Sequence, residues 1–158
     1  MAIVIEVESE IQATVDRVWT VIAAFERYGR WHPTREIIGP AEPNARLTIR
    51  VGPDPAQRWE APARLTVFEP GRRMTIQTGG GLFGRVFETV LLEPVTQGTR
   101  LVLIAVVPFW TGWINGGRQR YESEARELYQ QVGKALAVEA GRSPPCQRAG
   151  LGGNRGRL

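Results

Sequence analysis

Between Glu36 and Val107 the chain never sustains a helical pattern. It is a succession of short stretches whose apolar residues alternate, each closed by turn-forming residues. Glu36 to Gly39 is short, Arg46 to Val51 alternates Leu47, Ile49 and Val51, and Arg58 to Phe68 places Trp59, Ala61, Ala63, Leu65 and Val67 on one face. Arg72 to Thr78, Arg85 to Glu93 and Thr99 to Val107 complete the series. Pro40 and Pro43, Gly52-Pro53-Asp54-Pro55, Pro70-Gly71, Gly79-Gly80-Gly81 and Gln97-Gly98 separate the stretches. Connections this short cannot hold the crossover of about a dozen residues that parallel pairing needs, so the pattern predicts an antiparallel meander.

Two further segments bracket the meander. Ala2 to Ile11 alternates Ile3, Ile5 and Val7 against Val4, Glu6 and Glu8, which predicts one more strand. Thr14 is a good N-cap for a helix carrying Val15, Val18, Trp19, Ile22 and Phe25, and residues 26–34 read as a short second helix or turn broken by Gly29 and Pro33. After Pro108 and a glycine-containing lead-in over 112–117, the residues Tyr121, Ala125, Leu128, Val132 and Leu136 recur at steps of three and four, as one face of a long helix does. Residues 141–158 are rich in breakers and poor in apolar side chains. A disordered basic tail is expected there, beyond a single domain over 1–140.

Charge and composition narrow the function. Arg142, Arg148, Arg155 and Arg157 carry the whole formal charge of +4, because residues 1–140 hold all 16 acidic and 16 of the 20 basic side chains. A nucleic-acid binder would show a basic stripe on the folded part, so no nucleic-acid partner is expected. Cys146 is the only cysteine and His32 the only histidine, so neither an internal disulfide nor a clustered metal site is expected, and no cofactor is implied. No apolar run reaches the roughly 20 residues of a membrane helix, so stable membrane insertion is not expected. Acidic residues at Glu6, Glu8 and Glu10 replace any secretory leader pattern, which makes a cytoplasmic location the expectation.

Several ordered phrases give the pattern a family likeness: VDRVWTVIAAFERYGRWHP with Val18-Trp19 and Trp31-x-Pro33, then ARLTIRV, LTVFEPGRRMTIQT and LFGRVFETVLLEPVTQGTRLVLIAV, then the closing helix. From Ile3 to about Glu139 the chain resembles the START-like superfamily, in particular its polyketide cyclase/dehydrase and lipid-transport branch. The resemblance implies an α+β helix-grip fold, with a seven-stranded curved antiparallel sheet around the long C-terminal helix and an apolar cavity between them. Pockets of this kind usually enclose about 300–1,000 Å³.

Each candidate residue has a plain reading beside its functional one. His32 is either a general acid/base or polar anchor at the cavity rim, or, as the plainer reading, a surface loop histidine without an orienting partner. Glu88 depends on its facing: inward with Val86, Val90 and Leu92 it becomes a buried carboxylate with a raised pKa, and with Phe87 inward it is a solvated charge. Ala61, Ala63 and Ala105 leave room opposite Trp59, Met74 and Phe109 on the predicted inward rows. Trp31, Phe83, Phe87, Trp110 and Trp113 are read either as ligand contacts or as packing, and Trp110 and Trp113 also as a lid, a membrane-touching tip or a homodimer contact. Tyr121 and Tyr129 could each offer a phenol, with packing as the plainer role. The Gly79–Gly81 run lacks the lysine and helix of a phosphate loop, and no G-x-S-x-G elbow is present.

The residues thus point first to binding or carrying a hydrophobic small molecule, such as a lipid, polyketide-like or isoprenoid compound. A cyclase or dehydratase that folds a polyketone chain is the alternative. A module that docks a partner protein through the aromatic segment 109–113 is the third reading.

Overall fold

In the computed structural model, which describes residues 2–142, the predicted meander is present in full. The strands are β1 (Ala2–Ile11), β2 (Arg35–Ile38), β3 (Arg46–Val51), β4 (Trp59–Glu69), β5 (Arg73–Gly79), β6 (Arg85–Val95) and β7 (Gly98–Pro108). They form one seven-stranded sheet in the order β1-β7-β6-β5-β4-β3-β2, antiparallel throughout. The helices are α1 (Val15–Ala23), α2 (Tyr28–Trp31), α3 (Thr111–Ile114) and α4 (Arg118–Gly141). Thr14 caps α1 as expected, its hydroxyl accepting from the Arg17 amide.

The inner face of the sheet is set by the alternation and read off the register. Ile3, Ile5 and Val7 of β1 lie opposite Val107, Ala105 and Leu103 of β7, all of them buried. The row continues through Val90 and Leu92 of β6, Met74 and Ile76 of β5, Leu65 of β4, Leu47 and Ile49 of β3 and Ile37 of β2. Val18 and Ile22 of α1 and Val132, Leu136 and Ala140 of α4 close the core over it.

Three local predictions shift. Val67 was expected inward, but the register slips at Thr66, so Val67 pairs with Thr75 on the outer face and Phe68 turns inward onto Trp19, ring centroids 5.4 Å apart. One extra residue in a strand reverses every facing after it. On α4 it is Tyr129, not Leu128, that packs on the core; both fit the helical period, and only tertiary contact decides between them. The helix also runs through Gly141, the first residue of the expected tail, and the rest of that tail from 143 on lies outside the described residues.

Antiparallel pairing sorts the connections into two groups. Residues 32–34, 52–58, 80–84 and 109–117 gather at one end of the sheet, with the first residues of β1, β2, β4 and β6. The connections 12–14, 39–45, 70–72 and 96–97 gather at the other.

Candidate functional site

A cavity of about 60 Å³ lies between the inner face of the sheet, α2 and α4. Its apolar wall is Ile22, Ile37, Met74, Ile76, Leu103, Val132 and Leu136, and its polar wall is Tyr28, Trp31, His32, Arg35, Glu88 and Tyr129. The volume is well below the expected 300–1,000 Å³ and has room for only a few water molecules. Small residues on the sheet do not leave a large hollow here, because the long polar side chains and the rings of α2 fill it.

Glu88 faces inward. Its strand neighbours are Ile76 and Ala105, both buried on the inner face, which sends Phe87 to the outer face. The raised pKa expected for that facing is not found. Burial alone would push the carboxyl up, but the Arg35 guanidinium, with added help from the Tyr129 hydroxyl, holds it below the ordinary carboxylate value. Arg35 donates from Nη2 to Oε1 at 2.8 Å and its Nη1 lies 2.7 Å from Oε2, a two-point pairing of guanidinium and carboxylate. Tyr129 donates its hydroxyl to Oε1 at 2.8 Å. Burial and then the neighbouring Glu88 carboxylate raise that phenol well above its usual range, so it stays a donor.

The α2 turn supplies the rest of the wall. Tyr28 donates its hydroxyl to the Ile22 carbonyl at 2.7 Å and is stacked by the His32 ring, 5.8 Å between centroids and 13° between planes. His32 accepts at Nδ1 from the Thr34 amide at 3.3 Å, which leaves the neutral ring's proton on Nε2. Burial, then the nearby Arg35 charge, lower its pKa to about 3. It is a cavity histidine rather than the surface one of the plainer reading, and it stays neutral at physiological pH. Trp31 Nε1 and Arg35 Nε are buried with no hydrogen-bond partner among the described residues; Arg35 lines this cavity, whereas Trp31 lies between it and a second hollow beside Glu139.

Of the residues singled out from sequence, Trp31, His32, Met74, Glu88 and Tyr129 meet at this cavity. The others do not line it. Trp59, Phe83, Phe109 and Trp113 are exposed, Trp110 is half-buried, and Phe87 is on the outer face. Ala61 and Ala63 lie on the inner row of β4 opposite Ile49 and Leu47 without lining the cavity, and Tyr121 packs on Ile3, Ile5, Ala105 and Val107. Arg35 is the cavity side chain that the sequence reading missed. Its parity with Ile37 is the signal: extending that strand back by one residue puts the arginine on the buried row.

A curved antiparallel sheet gripping a C-terminal helix, with a cavity between them, defines a helix-grip protein. The chain belongs to the polyketide cyclase / dehydrase and lipid transport family, whose model matches residues 2–136. The fold is shared with a Mesorhizobium loti protein at a TM-score of 0.71 and 14% identity, covering 90% of this chain and 99% of that one. It is shared with the di-domain ARO/CYC StfQ from the steffimycin biosynthetic pathway at 0.67 and 12%, covering 89% of this chain and 50% of that one. Ara h 8.0201 matches at 0.64 and 12%, covering 89% of this chain and 98% of that one. No curated protein matches the chain in sequence. Among the described residues no helix is long and apolar enough to cross a membrane.

Proposed function

We propose that residues 2–140 form one domain that binds an apolar small molecule bearing an acceptor oxygen (a ketone, carboxylate or phenolate) in the cavity between the sheet and α4. The observation that carries this reading is the charged Arg35–Glu88–Tyr129 wall inside an otherwise apolar space. A buried ion pair contributes little net stability, since desolvation offsets most of the Coulomb attraction. Its presence is better accounted for by a ligand it orients. The unpartnered Nε of Arg35, a residue lining the cavity, favours an acceptor on that ligand, because leaving a buried N–H unpaired costs about 1–3 kcal/mol. At about 60 Å³ the cavity must widen to admit such a molecule, and the short turns of residues 25–34 are a part of the wall held neither in the sheet nor in a long helix.

Carrying rather than turnover is the reading these groups support. A base near neutral pH needs a pKa near neutrality, and His32 is far below it while Arg35 stabilises the ionised form of Glu88. The test is fluorescence titration with 1-anilinonaphthalene-8-sulfonate, followed by its displacement with 2-naphthoic acid, 2-acetylnaphthalene and 2-ethylnaphthalene. The two oxygen-bearing compounds should displace the dye about tenfold more effectively than the hydrocarbon, the worth of roughly one charge-assisted hydrogen bond. Equal displacement by all three would refute the oxygen-directed site, and absence of dye binding would refute the cavity.

A further inference from the structure

We infer that the end of the sheet carrying residues 80–84 and 109–117 docks on the surface of an anionic lipid bilayer. Leu82 is 101% exposed, Phe83 79%, Trp113 77% and Ile114 72%, and Trp59 and Phe109 are also exposed. All six lie at the same end, and every exposed large aromatic among the described residues is there; the opposite connections hold none. Single exposed apolar residues are ordinary, but this many at one end mark an interaction surface.

Two turns build the tip. Leu82 and Phe83 stand on a 3-10 turn, Gly81–Phe83, flanked by Gly80 and Gly84, and Phe109, Trp113 and Ile114 stand on and beside α3. The turns touch, since a Cβ on Gly84 would come within 2.7 Å of Pro108 Cγ and 3.8 Å of Trp110 Nε1. They therefore present one protruding apolar surface.

Charge selects the partner. Residues 79–87 and 108–121 contain Arg85, Arg118 and Arg120 and no carboxylate, although residues 1–140 as a whole are electrically balanced. Arg118 and Arg120 are matched by Glu122 and Glu124 one turn further along α4, away from the tip, and Arg85 has no ion-pair partner among the described residues. The neighbouring 52–60 stretch holds Asp54 and Glu60, which are outweighed only through Arg85, Arg118 and Arg120. Tryptophan, phenylalanine and long aliphatics with arginines beside them suit the headgroup boundary of a bilayer, where apolar burial and attraction to anionic lipid add. The polar cavity wall, His32 and Arg35, begins at the same end of the domain, so docking would bring it near the lipid. The inference does not depend on which ligand the cavity takes.

Sedimentation of the full chain with phosphatidylcholine vesicles, with and without phosphatidylserine, tests it. Binding is expected to the phosphatidylserine vesicles, with a Phe83→Ser/Trp113→Ser variant weakened tenfold or more and Val138→Ser, at the opposite end, unchanged. Brominated lipid should quench the tryptophan fluorescence of the wild type, and much less that of the Phe83→Ser/Trp113→Ser variant, whose remaining tip tryptophans, Trp59 and Trp110, no longer reach the lipid. Since the replaced side chains are exposed, the variants should melt with the wild type, and comparing melting temperatures separates lost docking from lost folding. Failure of the wild type to bind, or binding by the double variant as tight as the wild type's and abolished only by salt, would overturn the inference. So would a wild-type dimer, without vesicle binding, that dissociates in the double variant.

Discussion

Arg35 and Glu88 stand 53 positions apart, on strands with three others between them, and still meet at 2.7 and 2.8 Å. Only a sheet that curls back over itself brings its edge strand β2 within reach of β6. The pair therefore spans the curl as well as lining the cavity.

Removing one partner should cost more than removing both. Arg35→Met alone or Glu88→Leu alone leaves an unpaired group in a largely dehydrated space. Each side chain keeps nearly a fifth of its exposure, so a loss on the order of 2–4 kcal/mol is expected, at or below the range for fully buried pairs. The Arg35→Met/Glu88→Leu double variant should recover most of it, to within about 1 kcal/mol of wild type. Urea denaturation of the four proteins checks this. An additive double variant would mean that the two charges do not interact.

Acid should weaken the fold from near neutrality downward. Folded His32 holds a pKa of about 3 against an ordinary 6.5, so between these values the unfolded chain binds the proton and the folded one does not. Stability contributed by the neutral ring is complete above about 6.5 and declines as pH falls, with a limiting slope of about 1.4 kcal/mol per pH unit. Glu88 acts in the same direction lower down. Its folded pKa lies below the ordinary 4.5, so its contribution is present above that value and lost as pH falls through the folded one. Replacing His32 by Gln should flatten the stability profile between pH 5 and 6.5, with both proteins measured in the same urea series.

Two glycines separate steric need from backbone preference. Gly98 and Gly80 have similar φ values, +151° and +156°. A Cβ on Gly98 would lie 2.1 Å from the Ile11 carbonyl oxygen, whereas one on Gly80 meets nothing within 4 Å. Both alanine variants carry the strain of a positive φ, about 1–3 kcal/mol. Gly98→Ala should lose appreciably more, by thermal melting, because β1 must move away from the β6–β7 turn. Equal losses would mean that the turn relaxes freely.

Much of this architecture was legible because alternation and turn chemistry are local. The strands, the Thr14 cap and the closing helix all follow from neighbours within a few residues. What resisted reading was non-local. The slip at Thr66 and the choice of Tyr129 over Leu128 depend on partners across the fold. Glu88 presented two equivalent facings until its strand was paired with β5 and β7, and the depression of its pKa came from Arg35, whose arrival requires the curl of the whole sheet. The cavity's small volume was hidden for the same reason. Residue sizes on one strand do not reveal which side chains from α2 and β2 will fill the space opposite.

The phenols of α4 give the last test, since Tyr129 and Tyr121 are two turns apart on one helix face but differ in what they touch. Tyr129 donates to Glu88 at 2.8 Å, whereas Tyr121 packs on β1 and β7 with no hydrogen bond from its hydroxyl among the described residues. Tyr129→Phe removes one of the donors that keep the carboxylate ionised, with almost no change in shape. A loss of about 1.5–3 kcal/mol is expected, the range for a hydrogen bond to a charged group. The Glu88 carboxyl, followed by carbon-13 NMR, should titrate at a higher pH than in the wild type. Tyr121→Phe should leave stability within about 0.5 kcal/mol and the Glu88 titration in place, because a phenol without a partner gives up little when it becomes a phenyl ring. An unmoved Glu88 titration in Tyr129→Phe would mean that Arg35 alone sets the ionisation, and that the phenol serves packing, as the plainer reading of the sequence supposed.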